Sequence, residues 1–266
     1  AIRVRDGKAR IISERCIDCG ECIRVCPHHA KKAEHDSLDM LKNFTYNIAL
    51  PAPSLYGQFN RLDDIDYVLN GLKALGFDDV FEVSRAAEII SDATRQLIAD
   101  GKLKKPVISS ACPAVVRLIR VRFPDLCDNV LPLVSPMELA AILARKQAAE
   151  KGIPDEQIGV FFISPCAAKV TDVRAPLSIE HSHVNGVLAI SDIYPKLVSC
   201  MNKLKEVEPL ANSGIIGVSW SSIGGEAAGL LNENHLAADG IENVIKVLEE
   251  LEDEKLQELD FIELNA

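Results

Sequence analysis

The chain has 266 residues, enough for one large domain or two moderate ones with a small appendage. Hydrophobic residues make up 48% and charged residues 26%, which is ordinary for a soluble globular protein. The formal charge of −10 with no basic stripe argues against nucleic acid as a partner, and no apolar run reaches the roughly 18 residues of a membrane span. Residues 1–10 are polar and basic, so no signal peptide is visible. Cysteines at metal-binding spacing in such a chain indicate a reducing, cytoplasmic setting.

In chain order, the first organising feature is Cys16-Ile-Asp-Cys19-Gly-Glu-Cys22-Ile-Arg-Val-Cys26-Pro27. Four of the eight cysteines fall at spacings of two, two and three, followed by proline, which is the run that holds 4Fe–4S clusters. Thiolates are soft anionic ligands suited to iron–sulfur, and Gly20 lets the backbone wrap the cluster. A zinc site fits less well, because zinc ribbons use two separated pairs. Residues 1–36 therefore read as a ferredoxin-like 4Fe–4S module with Cys16, Cys19, Cys22 and Cys26 as metal ligands. In two-cluster ferredoxins the fourth cysteine of each run ligates the other cluster. Cys26 thus wants a second cluster, and a further cysteine run is expected before Ala1. The opening 1–8 looks like the strand and turn that follow such a first run.

From about residue 45 the pattern alternates strands with helices. Strands are expected at 46–50, 80–83, 106–109, 158–164, 184–190, 215–220 and 260–264. Helices are expected at 65–75, 86–99, 115–121, 137–151, 192–204 and 241–251. This alternation predicts an α/β fold of mostly parallel sheet flanked by helices. Ligands in such folds sit beyond the carboxyl ends of strands. Two cysteines fall there: Cys112 in Ser109-Ser110-Ala111-Cys112-Pro113, and Cys166 in Ser164-Pro165-Cys166-Ala167-Ala168-Lys169. Cys112 also opens a helix, where free amides favour an anion. Lys169 would aim a cation into the same space. Each cysteine alone reads as a buried small hydrophobe; the shared context makes them candidate cluster ligands.

On these residues the chain resembles the FeFe (iron-only) hydrogenase family, along nearly all of its length. The family's first signature loop is Thr-Ser-Cys-Cys-Pro and its second Met-Pro-Cys-x-x-Lys; 109–113 and 164–169 match them with departures. Ala52-Pro53 resembles the backbone contact to the two-iron ligands, and Gly224-Gly225-Glu226-Ala227-Ala228 a shortened Gly-Gly-x-Met-Glu-Ala-Ala. The resemblance implies a two-lobed hydrogenase-like catalytic domain over 45–266. It implies an H-cluster (a 4Fe–4S cube joined to a two-iron centre with CO and CN ligands) contacted by Cys112, Cys166, Ser110 and Ser164. Lys169 would hydrogen-bond a cyanide. The third signature loop, roughly Phe-Ile-Glu-x-x-Ala-Cys-x-x-Gly-Cys, matches Phe261-Ile262-Glu263-Leu264-Asn265-Ala266 only up to the bridging cysteine. The sequence is therefore read as an internal segment with two of the four cube ligands.

The departures bear on activity. The family's proton-donor cysteine is Ala111, its relay serine falls near Leu131, and Asp92 and Arg95 occupy the helix that carries its relay glutamates. Proton transfer needs a titratable group within reach, so Ala111, Lys169 and Pro53 mark a catalytic position with a weakened relay. The second-loop methionine is Ser164. These changes resemble the family's sensory branch. The implied activity is reversible H2 oxidation and proton reduction at low turnover, serving H2 or redox sensing. Implied partners are H2 and protons, a ferredoxin or downstream signalling domain, and hydrogenase maturases. A non-catalytic iron–sulfur protein without the two-iron centre, acting in cluster assembly or electron transfer, is the alternative. Cys127 and Cys200 read as structural, His28 and His29 as a solvated pair, His181 and His183 as an incomplete metal pair, Trp220 as core and 249–254 as a solvated helix end.

Overall fold

The computed structural model describes residues 1–60 and 62–266. The chain opens with an antiparallel hairpin of β1 (Ile2–Arg5) and β2 (Lys8–Ile11). Its two-residue turn is Asp6-Gly7, with φ of 51° and 69°. Two successive left-handed residues are what a type I′ hairpin turn requires, and Asp-Gly supplies them at low cost. The single-turn α1 (Glu21–Arg24) lies inside the cysteine run, entered through Gly20 at φ 76°. Asp36 then docks on the main sheet. Its amide donates to the Val187 carbonyl at 2.9 Å and its carboxylate accepts the Val187 amide at 2.8 Å, so the edge of the sheet is covered as a strand would cover it.

The body alternates as expected: β3 (Tyr46–Pro51), α2 (Asp66–Leu75), β4 (Asp79–Val80), α3 (Val83–Ala99), β5 (Val107–Ile108), α4 (Pro113–Arg122), α5 (Pro136–Glu150), β6 (Ile158–Ser164), α6 (Ala168–Arg174), β7 (Gly186–Ala189) and α7 (Ile190–Met201). The closing part holds α8 (Ile215–Ser219), α9 (Gly225–Gly229), β8 (His235–Asp239), α10 (Ile241–Glu252) and β9 (Phe261–Asn265). Two parallel sheets result, one ordered β4-β3-β6-β7 and one ordered β5-β9-β8. β6 is the central strand of the larger sheet. All seven of its residues are buried, as a strand covered on both faces demands.

Each sheet anchors one lobe. On one face of the larger sheet, Ala140, Ala141, Ala144 and Ala148 let α5 approach Ile48, Leu50 and Phe162 closely. On the other face Leu69, Leu72 and Leu197 pack against Phe161. In the smaller lobe Val115, Leu118 and Ile119 of α4 meet Leu248, Leu251 and Ile262.

Three expectations are corrected. Residues 215–219 form the helix α8, where a strand is expected over 215–220. A short apolar run reads equally as either, and Ile215 is 86% exposed where a core strand would bury it. Packing decides: a Cβ on Gly217 would lie 2.1 Å from the Ser84 carbonyl oxygen, so α8 rests backbone-on-backbone against α3. The 80–83 strand shortens to Asp79–Val80 because α3 begins at Val83. The sequence reading missed β8, an edge strand of half-exposed residues with no apolar alternation to reveal it.

Candidate functional site

The carboxyl ends of five strands from both sheets meet at one cavity of about 340 Å³. β3 delivers Ala52 and Pro53, β5 delivers Ala111 and Cys112, and β6 delivers Ser164, Pro165 and Cys166. β8 contributes Asp239, and β9 contributes Asn265 and Ala266. Val83 and Ala87 of α3, Met137 of α5, Trp220 and Lys169 complete the wall. Of the sequence-predicted site residues, Pro53, Ala111, Cys112, Ser164, Cys166 and Lys169 share this space. Ser110 does not: its hydroxyl donates to the Leu133 carbonyl at 3.0 Å, and it lines a neighbouring cavity of about 390 Å³ instead.

The two cysteine loops are built alike. Ser109 Oγ accepts the Ala111 amide at 3.1 Å, and Ser164 Oγ accepts the Cys166 amide at 3.0 Å. In each case a serine side chain folds the chain back two residues later, turning a strand end into a cysteine-bearing loop. Cys112 caps α4 in extended conformation ahead of Pro113. Burial pushes its thiol up. The amides of Val115 and Ala266 pull it back down, the nearby Cys166 raises it, and Lys169 lowers it. The mutual influence of Cys112, Cys166 and Lys169 is that of groups facing one another.

Lys169 is buried, and its one polar side-chain partner among the described residues is Asp172, with Nζ to Oδ2 at 3.4 Å. An ammonium at that depth needs more than one long contact to offset desolvation, which leaves this one with capacity to take an anion. Two soft thiols, a buried cation and an otherwise largely apolar wall fit an anionic metal–sulfur group. The described residues bring no three His, Cys, Asp or Glu side chains together as a group that could hold a metal ion. Cys112 and Cys166 are therefore a pair, not a full ligand set.

Glu226 is a residue the sequence reading treated only as part of a matching segment. It is fully buried, accepts the Ser109 hydroxyl at 2.6 Å, and desolvation pushes its carboxyl up to about 8, with Glu263 adding to the shift. Glu263 in turn accepts the Gly224 and Ala227 amides at 3.0 and 2.9 Å. A lone acid inside the small-residue run 224–228 was the available signal. At the expected relay positions Leu131 is buried and apolar, and Asp92 is turned to solvent and paired with Arg95. The inner face of α3 carries Ser91, which accepts from Trp220 Nε1 at 3.0 Å, and Thr94. Trp220, expected in the core, is thus a half-buried wall residue. Cys127, expected to be structural, is exposed on the neighbouring cavity.

At the N-terminus, Cys16, Cys19 and Cys22 line one hollow of about 580 Å³ together with Ile2 and Ile11. Cys26 stands outside it. Its sulfur accepts the Ala30 amide at 3.4 Å, and the amides of Ala30, His28 and His29 lower its pKa. The three cysteines share the hollow without closing into a ligand set as they stand, while the spacing of the run is that of a module in which three cysteines hold one cluster and the fourth another.

This arrangement is that of an iron–sulfur protein with a two-lobed hydrogenase-type domain. The family model for the iron-only hydrogenase large subunit, C-terminal domain, matches residues 45–220, and the 4Fe–4S binding domain model matches residues 9–32. The chain belongs to the iron-only hydrogenase family. It is 27% identical over 212 residues to the NADP-reducing hydrogenase subunit HndD of Solidesulfovibrio fructosivorans, covering 70% of this chain and 36% of the relative. It is 25% identical over 165 residues to iron hydrogenase 1 of Clostridium pasteurianum, covering 55% and 28%. The chain thus spans about a third of the length of the curated relatives it matches. Among solved structures, a variant of the FeFe-hydrogenase HydA1 from Chlamydomonas reinhardtii superposes with a TM-score of 0.66 at 14% identity, covering 86% of this chain and 81% of that one. A HydA structure described as revealing stepwise H-cluster assembly gives 0.60 at 16% identity, covering 86% and 78%. These likenesses show the fold. No helix among the described residues is long and apolar enough to cross a membrane.

Proposed function

We propose that the chain is the cluster-bearing part of a low-turnover FeFe hydrogenase used to sense H2 or redox state. The observation that carries this is the convergence of Cys112, Cys166, Lys169 and Pro53 on one cavity from both lobes. The group that fits there, when bound, supplies heterolytic H2 chemistry and one-electron storage. Cys112 and Cys166 would hold its cube as thiolates, favoured by the Ala266 and Val115 amides on Cys112. Lys169 would donate to an anionic ligand, held back by Asp172 on its other side. Ala111 and Leu131 offer no proton, which supports slow turnover. Electrons would leave through the hollow lined by Cys16, Cys19 and Cys22. Cys19 and Cys166 both pack against the apolar cluster around α4, which supports a short route between the two sites.

A second reading, a cluster protein without the two-iron centre, is supported by the same missing relay. Infrared spectroscopy of the full-length protein matured with hydrogenase maturases separates them. CO and CN bands that shift under H2 support the first reading. Intact clusters without such bands support the second and reject the first.

A further inference from the structure

The neighbouring cavity of about 390 Å³ lies within the size range of small-molecule sites. Voids that large are rare in a packed interior. It opens where the lobes meet: α4 supplies Val116 and Arg120, α5 supplies Glu138, α6 supplies Asp172, and the loop after α6 supplies Leu177. Its walls are chiefly apolar, but Arg120, Glu138 and Asp172 place three charges on them. These charges do not neutralise one another. Among the described residues, Asp172 has a cationic group within 4 Å only in Lys169, at 3.4 Å, and Glu138 only in the His183 ring, at 3.5 Å. The Arg120 guanidinium therefore stays more than 4 Å from both carboxylates. Its one side-chain bond among the described residues runs from Nη2 to the Leu177 carbonyl at 2.7 Å, which leaves most of its five N–H donors unspent. Glu138 is buried and accepts the Ser182 hydroxyl and the His183 amide. Asp172 has only the one long contact.

Opposite charges that line one cavity and stay apart select a ligand that carries both. A simple anion would meet two carboxylates there, and a simple cation would meet Arg120. A metal ion finds no group of three His, Cys, Asp or Glu among the described residues. A bipolar molecule meets neither objection. The planar guanidinium fork suits a carboxylate, the open acceptor sites of Asp172 suit an ammonium, and the apolar wall suits a hydrocarbon side chain.

We propose that this cavity binds a small zwitterion of the amino-acid class with an apolar side chain. Its carboxylate lies on Arg120, its ammonium on Asp172 with Glu138 adding negative charge, and its side chain on Val116, Leu131 and Leu177. Binding makes and breaks no covalent bond. The proposal stands on this cavity and on neither cluster. It also reaches the candidate cluster site, because Asp172 serves both spaces: its carboxylate holds Lys169, which lines the cavity between the cysteine loops. The bound ammonium and Lys169 compete for one carboxylate, so an occupant of the second cavity loosens Lys169 from behind.

The test titrates the full-length protein with L-leucine by isothermal calorimetry. Cys127, exposed on the same cavity, locates the ligand: its alkylation by iodoacetamide is followed by mass spectrometry. Leucine is expected to bind with a dissociation constant at or below about 1 mM, and near-saturating leucine to slow alkylation of Cys127 at least about fivefold. Isoamylamine lacks the carboxylate and 4-methylpentanoate lacks the ammonium; each should bind at least about tenfold more weakly. Arg120 is exposed, so Arg120→Gln spares the fold. It should weaken leucine to the level of isoamylamine and leave isoamylamine itself unchanged. Lys169→Met releases Asp172 and should tighten leucine about threefold or more. No binding up to about 10 mM overturns the proposal. So does leucine that binds without protecting Cys127, since it then sits elsewhere. Equal binding of all three molecules reports an apolar cleft that reads no charge, and rejects the zwitterion. An Arg120→Gln variant that binds leucine as the parent does, or loses leucine and isoamylamine alike, overturns the assigned contacts. Unchanged affinity in Lys169→Met overturns the shared carboxylate. Neither readout needs a cluster, so these outcomes hold whether or not infrared spectroscopy finds the two-iron centre.

Discussion

Arg117 Nη1 donates to Asp18 Oδ2 at 2.7 Å, joining the cysteine run to the helix that starts at Cys112. Asp18 sits between Cys16 and Cys19 at a φ of 59°, and both partners of the pair are mostly buried. Arg117 also reaches the Ala175 carbonyl at the end of α6, the helix that follows Cys166. One guanidinium therefore touches the supports of all three cysteine loops. Arg117→Ala is expected to cost about 1–3 kcal/mol, as for a charged hydrogen bond left unmet. It should also speed proteolysis within residues 16–26 while leaving the sheets protected. Unchanged cleavage of that segment would reject the role.

The buried Glu226 carboxyl gives a pH signature. Its folded pKa is raised from 4.5 to about 8. Between those values the folded chain keeps a proton that the unfolded chain has lost, so stability falls as pH rises through the window. The slope approaches about 1.4 kcal/mol per pH unit for one group. Glu226→Gln keeps the acceptor for Ser109 and removes the titration. It is expected to flatten the urea midpoint between pH 5 and 8, and to equal or exceed the parent at the upper end. A variant that keeps the parent's slope would assign the titration to another group.

Lys169 and Asp172 form a mostly buried pair at 3.4 Å. Lys169→Met strands the Asp172 carboxylate and is expected to cost about 3 kcal/mol in the cluster-free protein. Adding Asp172→Asn should recover most of that loss. Chemical denaturation of the two single variants and the double variant closes the cycle, and strictly additive losses would show that the two side chains do not depend on each other.

Gly217 is fixed by contact, not by conformation. Gly217→Ala places a methyl carbon 2.1 Å from the Ser84 oxygen, and backbone cannot move aside as a side chain can. A loss of about 1–3 kcal/mol or more is expected, read as a lower Tm. A neutral effect would mean that α8 does not rest on α3 as described.

Much of this was legible in the sequence because its signals are local. Asp6-Gly7 announces the hairpin turn, the continuous apolar run of β6 a doubly covered strand, and the proline-flanked cysteines two loops at strand ends. The rest depends on register or long-range contact. Glu226 looks like a surface acid until Ser109 and Glu263 close over it. Ser110 lies beside Ala111 in sequence, yet its hydroxyl turns to Leu133. Residues 215–220 carry an apolar run that only the approach to Ser84 resolves into a helix. Arg120, Glu138 and Asp172 are separated in the chain, and only the fold sets them around one cavity.

The strands that deliver Cys112 and Cys166 belong to different sheets, and the loops after them form the seam between the lobes. Whatever both sulfurs grip therefore acts as a rivet. Filling the cavity is expected to tighten this seam beyond what Arg117, through its bonds to Asp18 and the Ala175 carbonyl, already holds. Hydrogen exchange at Ala111 and Cys166 should accordingly report occupancy directly, slow when the rivet is in place and fast when it is not, before any catalytic assay is run.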